Sequence, residues 1–294
     1  MKKNYTFFQK GFLKIFFAAA LLATTANVQA QFIYGLSNGS IVRFKVSAPS
    51  VILNSNPITG IAAGQSVVGI DYRPATGQLY GIGYNSSSSQ AQLYVINPTS
   101  GVAVSVSATP VTLSLGTGQI GFDFNPTVDR IRIVGSNNAN YRLNPVTGAI
   151  AATDLNIAYA AADPNFGTDA AVGTVAYTNS YIGATSTTLF DIDDSLGILT
   201  SQNPPNNGTL NTIGSLGLSI NLADLSTDMD IYFNPDTYTN VAYFVANTSG
   251  SSIDKLYTIN LTTGLASLVG NTGIALQDIA CYIPRPESNS IKGQ

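Results

Sequence analysis

A hexapeptide that occurs five times constrains this chain more than any other feature of it. Gly69-Ile70-Asp71-Tyr72-Arg73-Pro74 recurs as Gly121-Phe122-Asp123-Phe124-Asn125-Pro126 and, in degenerate form, as Thr174-Val175-Ala176-Tyr177-Thr178-Asn179. Two more copies follow, Asp230-Ile231-Tyr232-Phe233-Asn234-Pro235 and Ile279-Ala280-Cys281-Tyr282-Ile283-Pro284. The anchor position (Pro74, Pro126, Asn179, Pro235, Pro284) advances by 52, 53, 56 and 49 residues. That is the period of a four-stranded propeller blade with its loops. A β-solenoid repeats at much shorter intervals, and a β-sandwich does not repeat a motif so regularly.

Each period holds the same order of segments. An apolar run ending at Pro is followed by a second strand such as Gln78–Gly83 and a third such as Leu93–Ile96. A turn ending in Gly then leads to a more variable fourth strand. Third strand and turn match across Leu93 to Gly101, Tyr141 to Gly148, Leu189 to Gly197 and Leu256 to Gly264. Asn-Pro followed by Gly is turn chemistry, since Pro presets φ and Gly permits φ > 0. The last first-strand, Gln277 to Pro284, has only a polar tail after it. Its missing partners stand at the other end: Phe32–Ser37 resembles a second strand, Ile41–Phe44 a third and Ser50–Leu53 a fourth. The expected fold is therefore an all-β propeller of five four-stranded blades. The N- and C-terminal strands share one blade, which closes the ring and removes its open edges. Leu222-Ala223-Asp224-Leu225 is the best candidate for a short helical turn.

Composition agrees. Outside the tail residue Glu287 every acid is Asp, and Asp favours turns where Glu favours helices. Residues 1–30 stand apart: Lys2, Lys3, Lys10 and Lys14 lead into an apolar run from Ile15 to Leu22, closed by Val28-Gln29-Ala30. This is the pattern of a cleaved secretory signal; its apolar core is shorter than the ~20 residues that span a bilayer. The expected organisation is a signal peptide over 1–30, one propeller domain over 31–284 and a polar tail over 285–294, with export to the periplasm or cell exterior and no membrane span. Cys281 is the only cysteine, which excludes both an internal disulfide and a lipidated cysteine at the cleavage point. Without the leader, 9 basic residues face 16 acidic ones, a net charge of −7, and nucleic-acid binding through a basic patch is disfavoured.

The stretch Gly69 to Gly83 (GIDYRPATGQLYGIG), with LYVINPTSG after it and Gly121 to Ile150 (GFDFNPTVDRIRIVGSNNANYRLNPVTGAI) beyond, resembles the bacterial domain-of-unknown-function family 4394. The likeness covers about residues 30 to 280. It implies an exported, propeller-like domain and no particular activity. The third unit departs from the pattern, with Ala176 and Asn179 where other units carry Asp and Pro.

Chemistry is harder to find. The chain has no His, which removes the most usual general base, Ser-His-Asp and Cys-His arrangements and His-based metal sites. No Gly-rich phosphate loop opens a helix. Cys281 lies within an apolar strand and reads as a buried small hydrophobe. Asp71 and Asp123 occupy the same place in adjacent first strands and so could face the central channel. They are the candidate catalytic pair for a carbohydrate-active hydrolase or lyase, against the plainer reading that they bond backbone as part of the blade motif. The run Asp191-Ile192-Asp193-Asp194 offers clustered carboxylates to a structural Ca2+, but position twelve of an EF-hand loop is Gln202, and the run coincides with a turn. Arg73, Arg130, Arg132 and Arg142 are candidates for holding an anionic ligand, or for simple pairing with Asp129 or a neighbour. With no catalytic constellation and no cofactor motif, the expected function is partner binding, protein or glycan, on one face of the ring or at the channel mouth. A structural surface or matrix role is the further alternative. Loops carry function on rigid scaffolds, and the longest irregular stretches read as 84–92, 156–171 and 202–226.

Overall fold

The computed structural model describes residues 1, 31–248 and 253–283. The leader, the tail and the anchor Pro284 lie outside the described residues. Five sheets of four or five strands stand in a ring. Blade 1 runs outward through Ser66–Arg73, Gln78–Asn85, Gln90–Ile96 and Ala103–Ser105. Blade 2 is Ile120–Asn125, Arg130–Gly135, Asn140–Leu143 and Ile150–Thr153. Blade 3 is Val172–Tyr177, Leu189–Asp193, Ile198–Gln202 and Thr209–Ser215, and blade 4 is Asp228–Asn234, Thr239–Ala246, Lys255–Ile259 and Ala266–Asn271. Blade 5 takes its inner strand, Asp278–Cys281, from one end of the chain and Phe32–Ser37, Ser40–Lys45 and Asn54–Pro57 from the other. Ile33 pairs with Cys281 and Leu36 with Asp278, antiparallel. This is the expected ring closure.

Each inner strand touches the inner strands of both neighbouring blades, in cyclic order. Buried on both sides, these strands read as near-continuous apolar runs rather than as alternation. The core follows from this. It is divided into wedges between adjacent blades: Ile82, Phe122 and Ile133 between blades 1 and 2; Val134, Val175 and Leu210 between 2 and 3; Ile192, Met229 and Phe244 between 3 and 4. Phe44, Val245 and Ile279 fill the wedge between 4 and 5, and Leu36, Ile70 and Leu79 the one between 5 and 1.

Several expectations are corrected. Leu189–Asp193 is the second strand of blade 3, not its third; the third is Ile198–Gln202. Blade 5 takes Asn54–Pro57 as its fourth strand instead of Ser50–Leu53, whose Val51 and Leu53 are exposed. Stretch 84–92 is mostly hairpin, 156–171 contributes Ala158–Tyr159 in parallel to the edge of blade 3, and 202–226 contains that blade's fourth strand. Leu222–Leu225 forms a turn; the one helix among the described residues is the 3-10 turn Pro205–Asn207.

Candidate functional site

The channel is lined by inner strands whose period-2 alternation aims every second side chain at the axis. In strand register Asp71 faces Tyr80, Asp123 faces Arg132, Ala176 faces Phe190, Asp230 faces Tyr243 and Ala280 faces Tyr34. Asp230 is thus the counterpart of Asp71 and Asp123, although the Pro-anchored motif places Tyr232 there. The reason is local: the inner hairpin of blade 4 continues through Ile231, Tyr232, Phe233 and Asn234, where that of blade 1 ends after Tyr72 and Arg73. Two residues earlier in each inner strand come Gly69, Gly121, Thr174, Asp228 and Asp278. A Cβ on Gly69 would lie 2.6 Å from Phe122 Cβ, so close approach of the neighbouring blade requires glycine there.

Five buried carboxylates result, and each reaches across to the next blade. Phe124 N–H donates to Asp71 at 2.9 Å and Tyr177 N–H to Asp123 at 3.2 Å. Ile279 N–H donates to Asp228 and Ile70 N–H to Asp278, both at 2.9 Å, and Cys281 N–H donates to Asp230. Among the described residues, the junction of blades 3 and 4 has no inner-strand carboxylate; there the Thr174 hydroxyl donates to Thr227 O at 3.1 Å, and the Thr227 hydroxyl donates to Asp194 from the second hairpin of blade 3. Burial, then the Asp230 charge, push the Asp71 carboxyl well above its ordinary value; burial and Asp71 do the same to Asp123. Burial raises Asp228 and Asp278 as well, and lifts Asp230 to about 6. The Cys281 thiol is buried and likewise pushed up by burial and by Asp230.

The arginines do not converge on an open pocket. Arg73 is bidentate to Asp129, with Nε donating at 2.8 Å, and also donates to the Tyr80 hydroxyl. Arg132 and Arg142 both grip Asp154, and Arg130 donates to the carbonyl of Asp129 at 2.8 Å. The run Asp191–Asp194 is also dispersed. Asp193 caps its turn by accepting from Leu196 N–H and the Ser195 hydroxyl, and receives the Tyr159 hydroxyl at 2.6 Å. Asp191 is fully buried with no hydrogen-bond partner on either oxygen; burial raises its carboxyl, against the opposing field of Arg132. Asp194 accepts from the Thr227 hydroxyl at 2.9 Å and lines a pocket of about 200 Å3 with Gln119 and Ser226, at the face where inner strands begin.

The opposite face, where the inner hairpins turn, has another character. Tyr72 meets Tyr34 and Tyr282 edge to face with centroids 5.5 Å apart, and Tyr34 and Tyr282 lie tilted to each other at 6.1 Å. On one side of Tyr282 lies an open cleft of about 820 Å3 lined by Tyr72, Leu79, Ile96 and Val104. On the other side, past Ile283, lies a pocket of about 290 Å3 lined by Tyr181, Ile182, Tyr232, Phe233, Pro235 and Tyr238. Tyr181 stacks on Phe233 at 4.3 Å, yet Tyr238 is 81% and Ile182 58% exposed. Neither lining contains a charged side chain. Sequence reasoning missed this platform because it depends on the longer hairpin of blade 4. It missed Asp228 and Asp230 for the same reason, although their i, i+2 spacing in Asp228-Met229-Asp230 was a usable signal.

Ring, wedges and carboxylate-laced channel define a five-bladed β-propeller. The chain belongs to the domain of unknown function DUF4394, whose family model matches residues 40–280. No curated protein matches it. Among solved structures, glutaminyl cyclase from Myxococcus xanthus is similar at TM-score 0.47 and 9% identity, over 80% of this chain and 94% of that one. A chain of the nidogen/laminin complex is similar at TM-score 0.45 and 8% identity, over 86% and 98%. A protein from Lactobacillus plantarum follows at TM-score 0.40 and 14% identity, over 87% and 68%. No helix among the described residues is long and apolar enough to cross a membrane.

Proposed function

We propose that this is an exported, non-enzymatic propeller that binds a protein partner on its hairpin face. The observation that carries the reading is the uncharged, aromatic lining of the pocket past Ile283, where Tyr181, Tyr232, Phe233 and Tyr238 gather and Ile182 and Tyr238 project into solvent. A contiguous exposed apolar patch marks an interaction site, and protein interfaces are aromatic-rich and charge-poor at their centre. A sugar, by contrast, needs convergent polar groups; Gln78, Asn97 and Ser100 line the larger cleft, but in the Tyr238 pocket the one small polar residue, Ser180, already donates its hydroxyl to Tyr177 O, which favours an apolar partner there. Export is supported by the lysine-led apolar leader. A glycosidase pair flanks an open cleft; Asp71 and Asp123 instead take backbone N–H groups inside the ring, which supports the non-enzymatic reading.

The test is selection of peptides from a random library on the folded protein, beside a glycan array. Apolar, aromatic-rich peptides should be selected, and Phe233→Ala with Tyr238→Ala should weaken them at least tenfold, about 1.4 kcal/mol, in a protein that still folds and melts in one cooperative transition. Glycan binding abolished by the same pair would replace the protein partner with a carbohydrate. Peptide binding indifferent to the pair would remove the platform from consideration.

A further inference from the structure

The centre of the ring concentrates negative charge. Asp71, Asp123 and Asp230, from blades 1, 2 and 4, each offer a carboxylate oxygen, and these oxygens lie within 4.8 Å of one another. All three residues are buried. Two oxygens on opposite sides of one Ca2+, at 2.3–2.6 Å each, stand roughly 5 Å apart, so the three oxygens are spaced as ligands of a single ion.

A second observation is independent of that spacing. Asp278 is wholly buried on the neighbouring inner strand, and its Oδ1 takes the N–H of Ile70, next to Asp71. Its Oδ2 has no hydrogen-bond partner. A buried carboxylate oxygen left bare is costly, and this one sits where the charges of Asp228, Asp71 and Asp230 all act on it. Among the described residues, the arginines of blades 1 and 2 turn to other partners: Arg73 is engaged by Asp129, and Arg132 and Arg142 by Asp154. Stapling does not account for the number of acids either. One acceptor per blade junction suffices for that, yet blade 4 presents both Asp228 and Asp230 to blade 5.

We propose that the channel binds one Ca2+ ion through Asp71, Asp123 and Asp230, with Asp278 lining the same channel two residues before that layer on the inner strand of blade 5. An all-oxygen, carboxylate-rich donor set selects a hard cation, and the absence of His argues against zinc or copper. Backbone N–H groups pin the carboxylates, so they cannot rearrange to the near-ideal short octahedron that Mg2+ demands, whereas Ca2+ accepts irregular shells. The ion ties blades 1, 2 and 4 together at the axis. The site shares no residue with the hairpin-face platform, so either reading can fail alone.

The chain is unfolded, refolded in millimolar CaCl2, in MgCl2 or in chelator, dialysed and analysed for metal. One calcium per chain is expected, with a melting temperature several degrees above the chelator sample, since a ligand bound only by the folded state stabilises it. Mg2+ should not reproduce the shift. Asp123→Asn and Asp230→Asn should each lose both the metal and the shift. If these variants do not fold, a calcium anomalous peak between the three carboxylates in wild-type crystals is the supporting result, and its absence the contrary one. Metal-free protein with equal melting temperatures in calcium and chelator overturns the proposal, as does a calcium shift that survives in folded Asp123→Asn and Asp230→Asn.

Discussion

Asp154 holds two guanidinium groups at once. Arg132 Nη1 donates to its Oδ2 at 2.6 Å, and Arg142 donates to both oxygens at 2.8 Å. Arg132 is 1% exposed and also donates to Asn140, to Asn206 and to the Tyr177 hydroxyl, so this knot joins blade 2 to blade 3. Removing one partner of a buried pair leaves the other charge uncompensated, which costs about 3–5 kcal/mol. Asp154→Ala should therefore lower the unfolding free energy by that amount, read as a lower urea midpoint with an unchanged slope, and Asp154→Asn by less; a loss for Asp154→Ala under about 1 kcal/mol would contradict the assignment. Asp194 is the opposite case, because burial lifts its carboxyl to about 7 from 3.8. The folded state prefers it protonated. Its contribution is full below the unfolded value and is lost as pH rises through about 7, by up to about 4 kcal/mol. Asp194→Asn, which keeps an acceptor for Thr227, should match wild type near pH 4 and melt higher than wild type near pH 9; parallel melting curves across that range would show that Asp194 is ionised throughout.

The recurring turn is the element most legible in the sequence, and it also misled. Asn97, Asn144 and Asn260 each accept two backbone N–H groups on Oδ1, and Gly101, Gly148 and Gly264 N–H close each turn at 2.8 Å. Asp193 and Gly197 make the same turn, but between the second and third strands of blade 3. Motif chemistry specifies a turn and not its place in the blade, which is why Leu189–Gly197 reads as a third strand. Pro235 likewise marks where a hairpin reverses, not how many pairs precede it, so neither the register of Asp230 nor the raised Phe233 and Tyr238 could be read off. What the glycine of the turn does beyond its φ is a packing matter. Gly101 has φ +73°, and a Cβ there would lie 2.0 Å from Pro57 O in blade 5; Gly39, at φ +71°, has nothing within 4 Å. Gly39→Ala should cost only the left-handed penalty of about 1 kcal/mol. Gly101→Ala should cost at least twice as much, because backbone of an adjacent blade must move as well. Equal losses in chemical denaturation would mean that the blade contact yields freely.

At the scale of the whole ring, the repeat and its closure are sequence properties, because each copy of the motif must bury its two sides against neighbours of the same kind. The channel centre is not such a property. It is the sum of five registers, and one longer hairpin is enough to hide Asp230 from a linear alignment. The division of the core into wedges carries a consequence for stability. No blade has a core of its own, and blade 5 contributes Phe44 to one wedge and Leu36 to the next. Deleting 31–57 removes three of its four strands, empties part of both wedges and bares the edge of Asp278–Cys281 that now pairs with Phe32–Ser37. An exposed, flat, apolar edge recruits another chain, and a stack of units that stabilise only their neighbours unravels from an open end. The truncated chain should therefore form oligomers by light scattering and lose its single sharp thermal transition, and a peptide spanning 31–57 added during refolding should restore both the monomer and the transition. A truncated chain that stays monomeric and melts with the wild-type midpoint would mean that the inter-blade carboxylates and the remaining three wedges hold an open ring without its closing strands.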